Sequence, residues 1–316
     1  MSQSATSAVA ERVLEIRRLF NAPRELVFAA WTDPKHLAQW WGPKGFTAPR
    51  CEAEARPGGK IRIDMRGPDG TIYPMDGQFR EVTPPEKLVF TSSALDENGN
   101  ALFVNLNTVT FEDFGDGRTM LTVRAQVIEQ TPEAAKYLKG MNLGWSLTID
   151  RLESFVLATG PNLRPVFDGT DTTARQLIAT RVFDAPRDLC FRMWTDPEHV
   201  ANWWGPHGFT NTIYEMDVRP GGTWLLAMHG PNGVDYISKS TYVEIAAPER
   251  LVLDHATPPF RMTVTFKELG NKTEVTAKTV FESAALLKKE KETVGADKGL
   301  QETLDCLGEY LDTLNR

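Results

Sequence analysis

Several features that mark common protein classes are missing from this 316-residue sequence. No run of about twenty apolar residues is present, so no membrane-spanning helix is expected. The opening residues, MSQSATSAVAERVLEI, lack a basic start followed by an apolar stretch, so we expect no signal peptide. The three cysteines, Cys51, Cys190 and Cys306, are widely spaced and odd in number, which argues against a disulfide framework. A reducing cytoplasm is therefore the expected location.

An excess of positive charge is also missing, because 42 acidic residues outnumber 35 basic ones and the net charge is -7. The most basic run, LLKKEKE at 286–292, is interrupted by glutamates and is typical of a solvated helix face. Nucleic acid is therefore not an expected partner, since a nucleic-acid binder needs a basic face.

The common catalytic signatures are absent as well. The sequence contains no GxSxG, no HExxH and no phosphate-binding loop, and no cysteine has a histidine close to it in sequence. No histidine and carboxylate group has metal-ligand spacing. We predict no catalytic residue, no cofactor and no metal site, although catalysis by an unrecognised arrangement stays open.

What the sequence does contain is a tryptophan-rich phrase that occurs twice. WTDPKHLAQWWGPKGFT at 31–47 and WTDPEHVANWWGPHGFT at 194–210 are identical at 13 of 17 positions. Further matches include RPGG at 56–59 and 219–222, still 163 residues apart. Later matches, such as TVTFED at 108–113 with TVTFKE at 263–268, are 155 residues apart, which indicates an insertion near residues 92–100 of the first copy.

Each copy is about 145 residues long, which is the size of a whole domain rather than of a solenoid repeat. We therefore predict a first domain over residues 11–158 and a second over residues 175–316. The residues between them, 159–174, are rich in Gly, Pro and Thr and are predicted to form a linker.

Each copy predicts the same order of elements: a strand, two short helices, six strands and a long helix. Asn21 is a candidate cap for the first helix, and Asp33 followed by Pro34 predicts the start of the second. In the long helix, an apolar stripe with spacings of four, three and four predicts a buried face, formed by Trp145, Ile149, Leu152 and Val156 and, in the second copy, by Leu300, Leu304, Leu307 and Leu311. The fold class is α+β, a curved antiparallel sheet around a long C-terminal helix, duplicated in tandem.

The sequence resembles the activator of Hsp90 ATPase homologue-like family of the START-like (SRPBCC) superfamily. The resemblance is carried by that order of elements and by three stretches, NAPRELVFAAWTDPKHLAQWWGP, RPGG and the GW…IDRLESF helix. The resemblance covers nearly the whole chain, once per copy. It implies a helix-grip fold with an apolar cavity between the sheet and the long helix. The additional chaperone-binding domain of the eukaryotic co-chaperone has no counterpart here, which puts direct chaperone activation in doubt.

The tryptophan pairs admit two interpretations. Adjacent helical residues point about 100° apart, so one ring of each pair is expected in the core and the other at the mouth of the cavity. Packing of the short helices on the sheet is one interpretation, and a gate for ligand entry is the other. The four candidate residues for the cavity mouth are Trp40, Trp41, Trp203 and Trp204.

Strand alternation supplies candidate lining positions, which plain core packing explains equally well. His255, which follows Leu251 and Leu253 on one face, is expected either to orient a ligand or to be a satisfied core histidine. The candidates in the first copy are Ile61, Ile63, Met65, Tyr73, Phe79, Phe90 and Trp145. In the second copy they are Trp224, Leu226, Met228, Tyr236, Tyr242, Leu253, His255 and Leu300.

Three functions stay open at this point. The leading hypothesis is non-enzymatic binding of a small apolar or amphipathic ligand in the cavity. The first alternative is a co-chaperone-like protein-interaction module, which predicts an exposed apolar patch and a protein partner. The second is a cyclase- or hydrolase-like enzyme, which predicts polar groups with shifted pKa values converging in one cavity. Where the copies differ, Trp224 is expected to fill part of the second cavity.

Overall fold

The computed structural model describes residues 13–159 and 172–314, which form two compact units, one in each half of the chain. Each unit contains an antiparallel sheet and a long helix, so the predicted α+β fold in two copies is confirmed. The predicted linker, 159–174, lies almost entirely outside the described residues. The predicted domain limits stay predictions.

Within residues 13–159, the strands of the first domain lie in the order β2-β3-β4-β5-β6-β7-β1, so that the first and the last strand pair. Its elements are β1 Val13–Phe20, α1 Arg24–Thr32, α2 Pro34–Trp40, β2 Thr47–Ala53, β3 Lys60–Arg66, β4 Ile72–Thr83, β5 Lys87–Leu95, β6 Ala101–Gly115, β7 Arg118–Gln130, α3 Ala135–Leu138 and α4 Met141–Thr159.

Within residues 172–314, the second domain repeats that order as β9-β10-β11-β12-β13-β14-β8. Its elements are β8 Gln176–Phe183, α5 Arg187–Thr195, α6 Pro197–Trp203, β9 Thr210–Met216, β10 Thr223–His229, β11 Val234–Ala246, β12 Arg250–His255, β13 Phe260–Leu269, β14 Lys272–Phe281, α7 Ala284–Val294 and α8 Ala296–Leu314.

The short helices begin where proline and aspartate place them. Asp33 caps α2, because its side chain accepts a hydrogen bond from the Lys35 amide at 2.8 Å, and Pro34 occupies the first turn. The predicted cap of α1 at Asn21 is wrong. Pro23 is the residue before the helix, with an extended backbone, and no side chain caps α1. Asn21 therefore lies too far upstream to reach the free amides of the first turn.

The predicted stripe of the long helix forms the core between helix and sheet. Ile149, Leu152 and Val156 are all buried, and each side chain contributes about 1.5–3 kcal/mol of burial free energy. Leu304, Leu307 and Leu311 repeat this in α8. An ion pair fixes the helix to β1, because buried Arg18 bonds Asp150 at 2.8 Å. The second domain has the same pair, Arg181 with Asp305.

The RPGG turns are shaped by a close approach of backbone to backbone. A Cβ on Gly59 would lie 2.0 Å from the Glu54 carbonyl oxygen, and a Cβ on Gly222 would lie 1.9 Å from that of Asp217. No side chain fits at either position, which explains why both copies have glycine there.

The insertion of the first copy lengthens one hairpin. β5 and β6 extend beyond their counterparts β12 and β13, and the added turn is closed by Asp96, whose side chain accepts from the amides of Asn98 and Asn100. The predicted position of the insertion, residues 92–100, is this hairpin tip.

Candidate ligand-binding cavity of the first domain

A cavity of about 400 Å³ lies between the sheet and helix α4 of the first domain. Its four walls come from the β3–β4 hairpin, from β5 and β6, from the turn after α2, and from the helices at the end of the domain. The hairpin contributes Met65, Tyr73, Pro74 and Met75, and the turn contributes Trp41, Gly42, Pro43 and Phe46. The helical wall consists of Tyr137, Gly140, Met141, Gly144, Trp145 and Thr148.

The adjacent tryptophans have separate positions. Trp40 is fully buried, and its indole N–H donates to the Ala30 carbonyl at 2.9 Å. Trp41 lines the cavity and packs edge to face against Trp145, with ring centroids 5.8 Å apart. Trp145 in turn stacks on Trp31 at an interplanar angle of 17°. One indole of the pair is therefore core and the other is cavity wall.

Arg151 on α4 holds the turn that carries Trp41. Its guanidinium donates to the backbone carbonyls of Gln39 at 2.8 Å, Gly42 at 3.0 Å, Trp41 at 3.2 Å and Pro43 at 3.3 Å. The Gln39 carbonyl lies in the last turn of α2 and the other three follow the helix, where carbonyls have no partner within it. Burial lowers the pKa of Arg151 from its ordinary value. The long helix thus fixes the position of the cavity wall.

One end of the cavity is polar, a feature that sequence reasoning missed. Ser92 on β5 and Asn105 on β6 both line it, and they face each other across the two strands. Asn107 lies behind them, fully buried, and donates from Nδ2 to Ser92 Oγ at 2.9 Å. The signal was present in the sequence NLNTVTF, where the inward positions of an alternating strand begin with two asparagines.

The opening of the cavity is rimmed by exposed apolar groups. A second concavity, of about 720 Å³, shares Tyr73, Pro74, Ala94 and Tyr137 with the first and includes the inserted hairpin tip. Tyr73 is 37% exposed and Tyr137 is 39% exposed, and neighbouring Ile72 is 43% exposed. Apolar side chains therefore face solvent at the entrance.

The predicted residues of the first domain divide into two groups. Four of them line the cavity: Trp41, Met65, Tyr73 and Trp145. The others are buried in the core and do not line it: Trp40, Ile61, Ile63, Phe79 and Phe90.

In the second domain, large rings occupy the interior. Trp224 replaces Ile61 of the first copy and is buried, 4.7 Å from Trp204 and stacked with Tyr242 at an interplanar angle of 12°. Burial raises the pKa of the Tyr242 phenol from its ordinary value. Trp204 and Leu300 pack against the buried cluster that contains these rings.

The remaining cavity-lining candidates of the second domain are either buried or half-buried. Leu226 and Leu253 are buried, and so is Trp203, whose indole N–H donates to the Met193 carbonyl at 3.0 Å. Met228 and Tyr236 are half-buried.

His255 has protein partners for both ring nitrogens. Its Nδ1 lies 2.9 Å from the Pro258 carbonyl oxygen and its Nε2 lies 3.1 Å from Ser238 Oγ. The ring stacks on Phe260 at 4.4 Å, with the two planes 3° apart. This arrangement is typical of a satisfied structural histidine.

The cysteines are poor nucleophiles at neutral pH. Burial raises the pKa of the Cys51 thiol to about 11, and burial also raises the pKa values of Cys190 and Cys306. In the described part of the chain, no group of three or more His, Cys, Asp or Glu residues is placed to hold a metal ion. No helix among the described residues is long and apolar enough to cross a bilayer.

Comparison with known proteins gives a match in each half of the chain. The sequence profile of the family described as "Activator of Hsp90 ATPase homolog 1-like protein" matches residues 21–156 and again residues 184–312. A search of curated proteins finds no match.

Solved bacterial structures each align with about half of this chain. A protein from Nitrosomonas europaea is 31% identical, covering 48% of this chain and 97% of that one, with a TM-score of 0.40. A protein from Arthrobacter aurescens is 30% identical over 46% of this chain and 85% of that one, with a TM-score of 0.42. The AHSA1 protein from Silicibacter pomeroyi is 23% identical over 46% and 99%, with a TM-score of 0.41.

Proposed function

The chain belongs to the family of Activator of Hsp90 ATPase homolog 1-like proteins, in two tandem copies, and from that premise we propose that its first domain binds a small apolar ligand. The site is the cavity between the sheet and helix α4. The observation that carries the proposal is the character of that cavity: it has the size of a small-molecule site, and none of its lining residues is charged.

We assign the ligand to the first domain because the interiors of the two copies differ. In the first, Gly144 on α4 lines the cavity, and a Cβ there would meet no atom within 4 Å outside its chain neighbours and the backbone of its own helix. In the second, Trp224 and Tyr242 are buried side by side. The second domain is proposed to be structural.

The test fills the cavity from its helical wall. Gly144→Leu places a side chain in the open space and also raises helix propensity, so the fold is expected to persist. In equilibrium dialysis, the wild-type chain is expected to bind one 2-methylnaphthalene per chain, and Gly144→Leu is expected to lose that binding. Native mass spectrometry of the purified chain, before and after denaturation, checks for a ligand carried from the cell.

Gly299→Leu is the matched control, because Gly299 occupies the same position on α8 and a Cβ there meets only Pro206 Cγ at 3.6 Å. This variant is expected to bind the probe as the wild type does. Absence of both a co-purified mass and probe binding would contradict the proposal. Loss of binding in Gly299→Leu instead would move the site to the second domain.

A second candidate function is supported by the apolar rim. Ile72, Tyr73 and Tyr137 are exposed around the entrance, which is the kind of surface that a co-chaperone-like interaction module presents. A protein partner would then be retained by the wild-type chain and lost in Ile72→Asp, while Gly144→Leu would have no effect on it.

The cyclase- or hydrolase-like alternative receives less support, because acid–base chemistry in this cavity would have only Tyr73 and Tyr137 as ionisable side chains in its lining. A reducing cytoplasm remains part of the proposal. The three cysteines support it, since all are free thiols.

A further inference from the structure

The polar end of the first-domain cavity contains hydrogen-bonding groups that the protein itself does not satisfy. Asn105 is 4% exposed, and its Oδ1 has no partner among the described residues. Asn107 is fully buried, and its Oδ1 also has no partner. Buried polar groups are rarely left unpaired in proteins, because each loses its bonds to water. Of these two residues Asn105 lines the cavity, so a bound molecule can supply the bond that its amide lacks.

The two copies differ at these positions. The inward side chains of β6 are Asn105, Asn107, Val109 and Phe111, whereas those of β13 are Phe260, Met262, Val264 and Phe266. Where the first domain has Ser92, the second has His255, whose ring nitrogens both have protein partners. At these strand positions, therefore, the first copy has a polar cluster and the second has apolar side chains and a paired histidine.

Local geometry directs Asn105 towards the cavity. The pairing of β6 with β7 shifts register between Val104 and Asn105, a bulge of the kind that re-aims a side chain. Ser92, which pairs with Asn105 across β5 and β6, accepts a bond from Asn107 Nδ2, and no described contact uses its own hydroxyl proton. The lining at this end thus includes an amide and a hydroxyl, side chains that can both accept and donate hydrogen bonds.

We propose that Asn105 and Ser92 bind the hydroxyl group of an uncharged aromatic or alicyclic alcohol, with the carbon skeleton against Trp41, Met65 and Trp145. This inference rests on the proposed function and names the ligand class for the same site. A carboxylate is excluded as the head group, because no cation lines the cavity and a buried unpaired charge is strongly unfavourable.

The test compares three probes of nearly the same shape in equilibrium dialysis at pH 7: 2-naphthol, 2-methylnaphthalene and 2-naphthoate. The wild-type chain is expected to bind naphthol roughly tenfold more tightly than methylnaphthalene, the effect of one net hydrogen bond, and to bind naphthoate most weakly. In Asn105→Leu, the naphthol advantage is expected to disappear while methylnaphthalene binding is retained, which also shows that the variant is folded.

Ser92→Ala is the second variant and is expected to lose part of the naphthol advantage. Thr108→Val, at an outward position of the same strand, is the control and is expected to keep all of it. Equal binding of naphthol and methylnaphthalene, or tightest binding of naphthoate, overturns this inference and leaves the proposed function intact. A naphthol advantage that survives both Asn105→Leu and Ser92→Ala also overturns it. Failure of all three probes, together with the absence of a co-purified mass, removes the proposed function itself.

Discussion

The two domains have the same framework but supply the central aromatic ring from opposite walls. In the first domain the ring is Trp145, on helix α4, and Leu300 occupies the equivalent position in the second. In the second domain the ring is Trp224, on strand β10, and Ile61 occupies the equivalent position in the first. Trp224 is buried and Trp145 is half-buried beside open space. The indole that the first domain places on its long helix is thus replaced, in the second, by an indole on a strand.

The turn after the second short helix is also held by different elements in the two domains. In the first domain Arg151, on the long helix, donates to the Trp41 carbonyl and its neighbours. In the second domain the equivalent helical residue is Cys306, and Asn211 on β9 donates to the Trp204 carbonyl at 2.6 Å instead. The turn within the repeated phrase is thus held in both copies, from the long helix in the first and from a strand in the second.

The largest effect is expected for truncation of the indole that fills the second domain. Trp224→Ala leaves a new buried cavity and is expected to destabilise that domain by about 3–5 kcal/mol. Trp145→Ala is expected to have a smaller effect on the first domain, because it only enlarges an existing cavity. Hydrogen exchange read by mass spectrometry measures each domain separately. If Trp224→Ala and Trp145→Ala destabilise their domains equally, the difference inferred between the two interiors is wrong.

The next largest change in stability is expected when the turn after α2 in the first domain loses its contacts with Arg151. Arg151→Ala removes four carbonyl contacts and is expected to destabilise this domain by about 1.5–3 kcal/mol and to weaken probe binding. Cys306→Ala at the equivalent position is the control, with an expected change below about 1 kcal/mol. Hydrogen exchange read by mass spectrometry measures the stability of both variants. If the Arg151 variant is as stable as the control, the guanidinium does not hold the turn.

A smaller effect is expected for the corresponding contact of the second domain. Asn211→Ala is expected to cost about 1 kcal/mol, because it removes the bond to the Trp204 carbonyl but also an amide oxygen that has no partner. Hydrogen exchange of peptides from the second domain, read by mass spectrometry, measures the change. A loss of stability as large as that of Arg151→Ala would show that Arg151 and Asn211 stabilise their turns equally.

The smallest effect is expected at the paired helical glycines. Gly144→Ala and Gly299→Ala are each expected to stabilise the chain by about 0.5–1 kcal/mol, through helix propensity alone, since neither Cβ meets an atom closer than 3.6 Å. Thermal unfolding of the two variants gives the comparison. Stabilisation by one variant and destabilisation by the other would show that one of the two helices does not pack as the structure has it.

Local patterns were sufficient to predict most of the fold. The spacing of Ile149, Leu152 and Val156 depends only on the helical repeat, and Asp33 caps a helix through contacts two residues away. The cap expected at Asn21 failed because the helix begins only after Pro23. Such starts depend on the backbone of the preceding residues, which sequence spacing does not reveal.

The cavity was less predictable because its walls meet only in the tertiary structure. Met65 and Tyr73 line it, whereas Ile61 and Phe79, at equally apolar alternating positions, are buried core. Alternation identifies the inner face of a strand but not the depth of a gap above it. Asn105 was missed because polar strand residues are usually solvated, and only its burial marks it as part of the site.

The most direct test of the central claim is a crystal structure of the chain under xenon pressure, because xenon binds in dry apolar cavities. Xenon is expected in the first domain, beside Trp41, Met65 and Trp145, and none is expected beside Trp224 and Tyr242 in the second. Xenon at equivalent positions in both domains, or in the second domain alone, would contradict the claim that only the first copy has an open cavity.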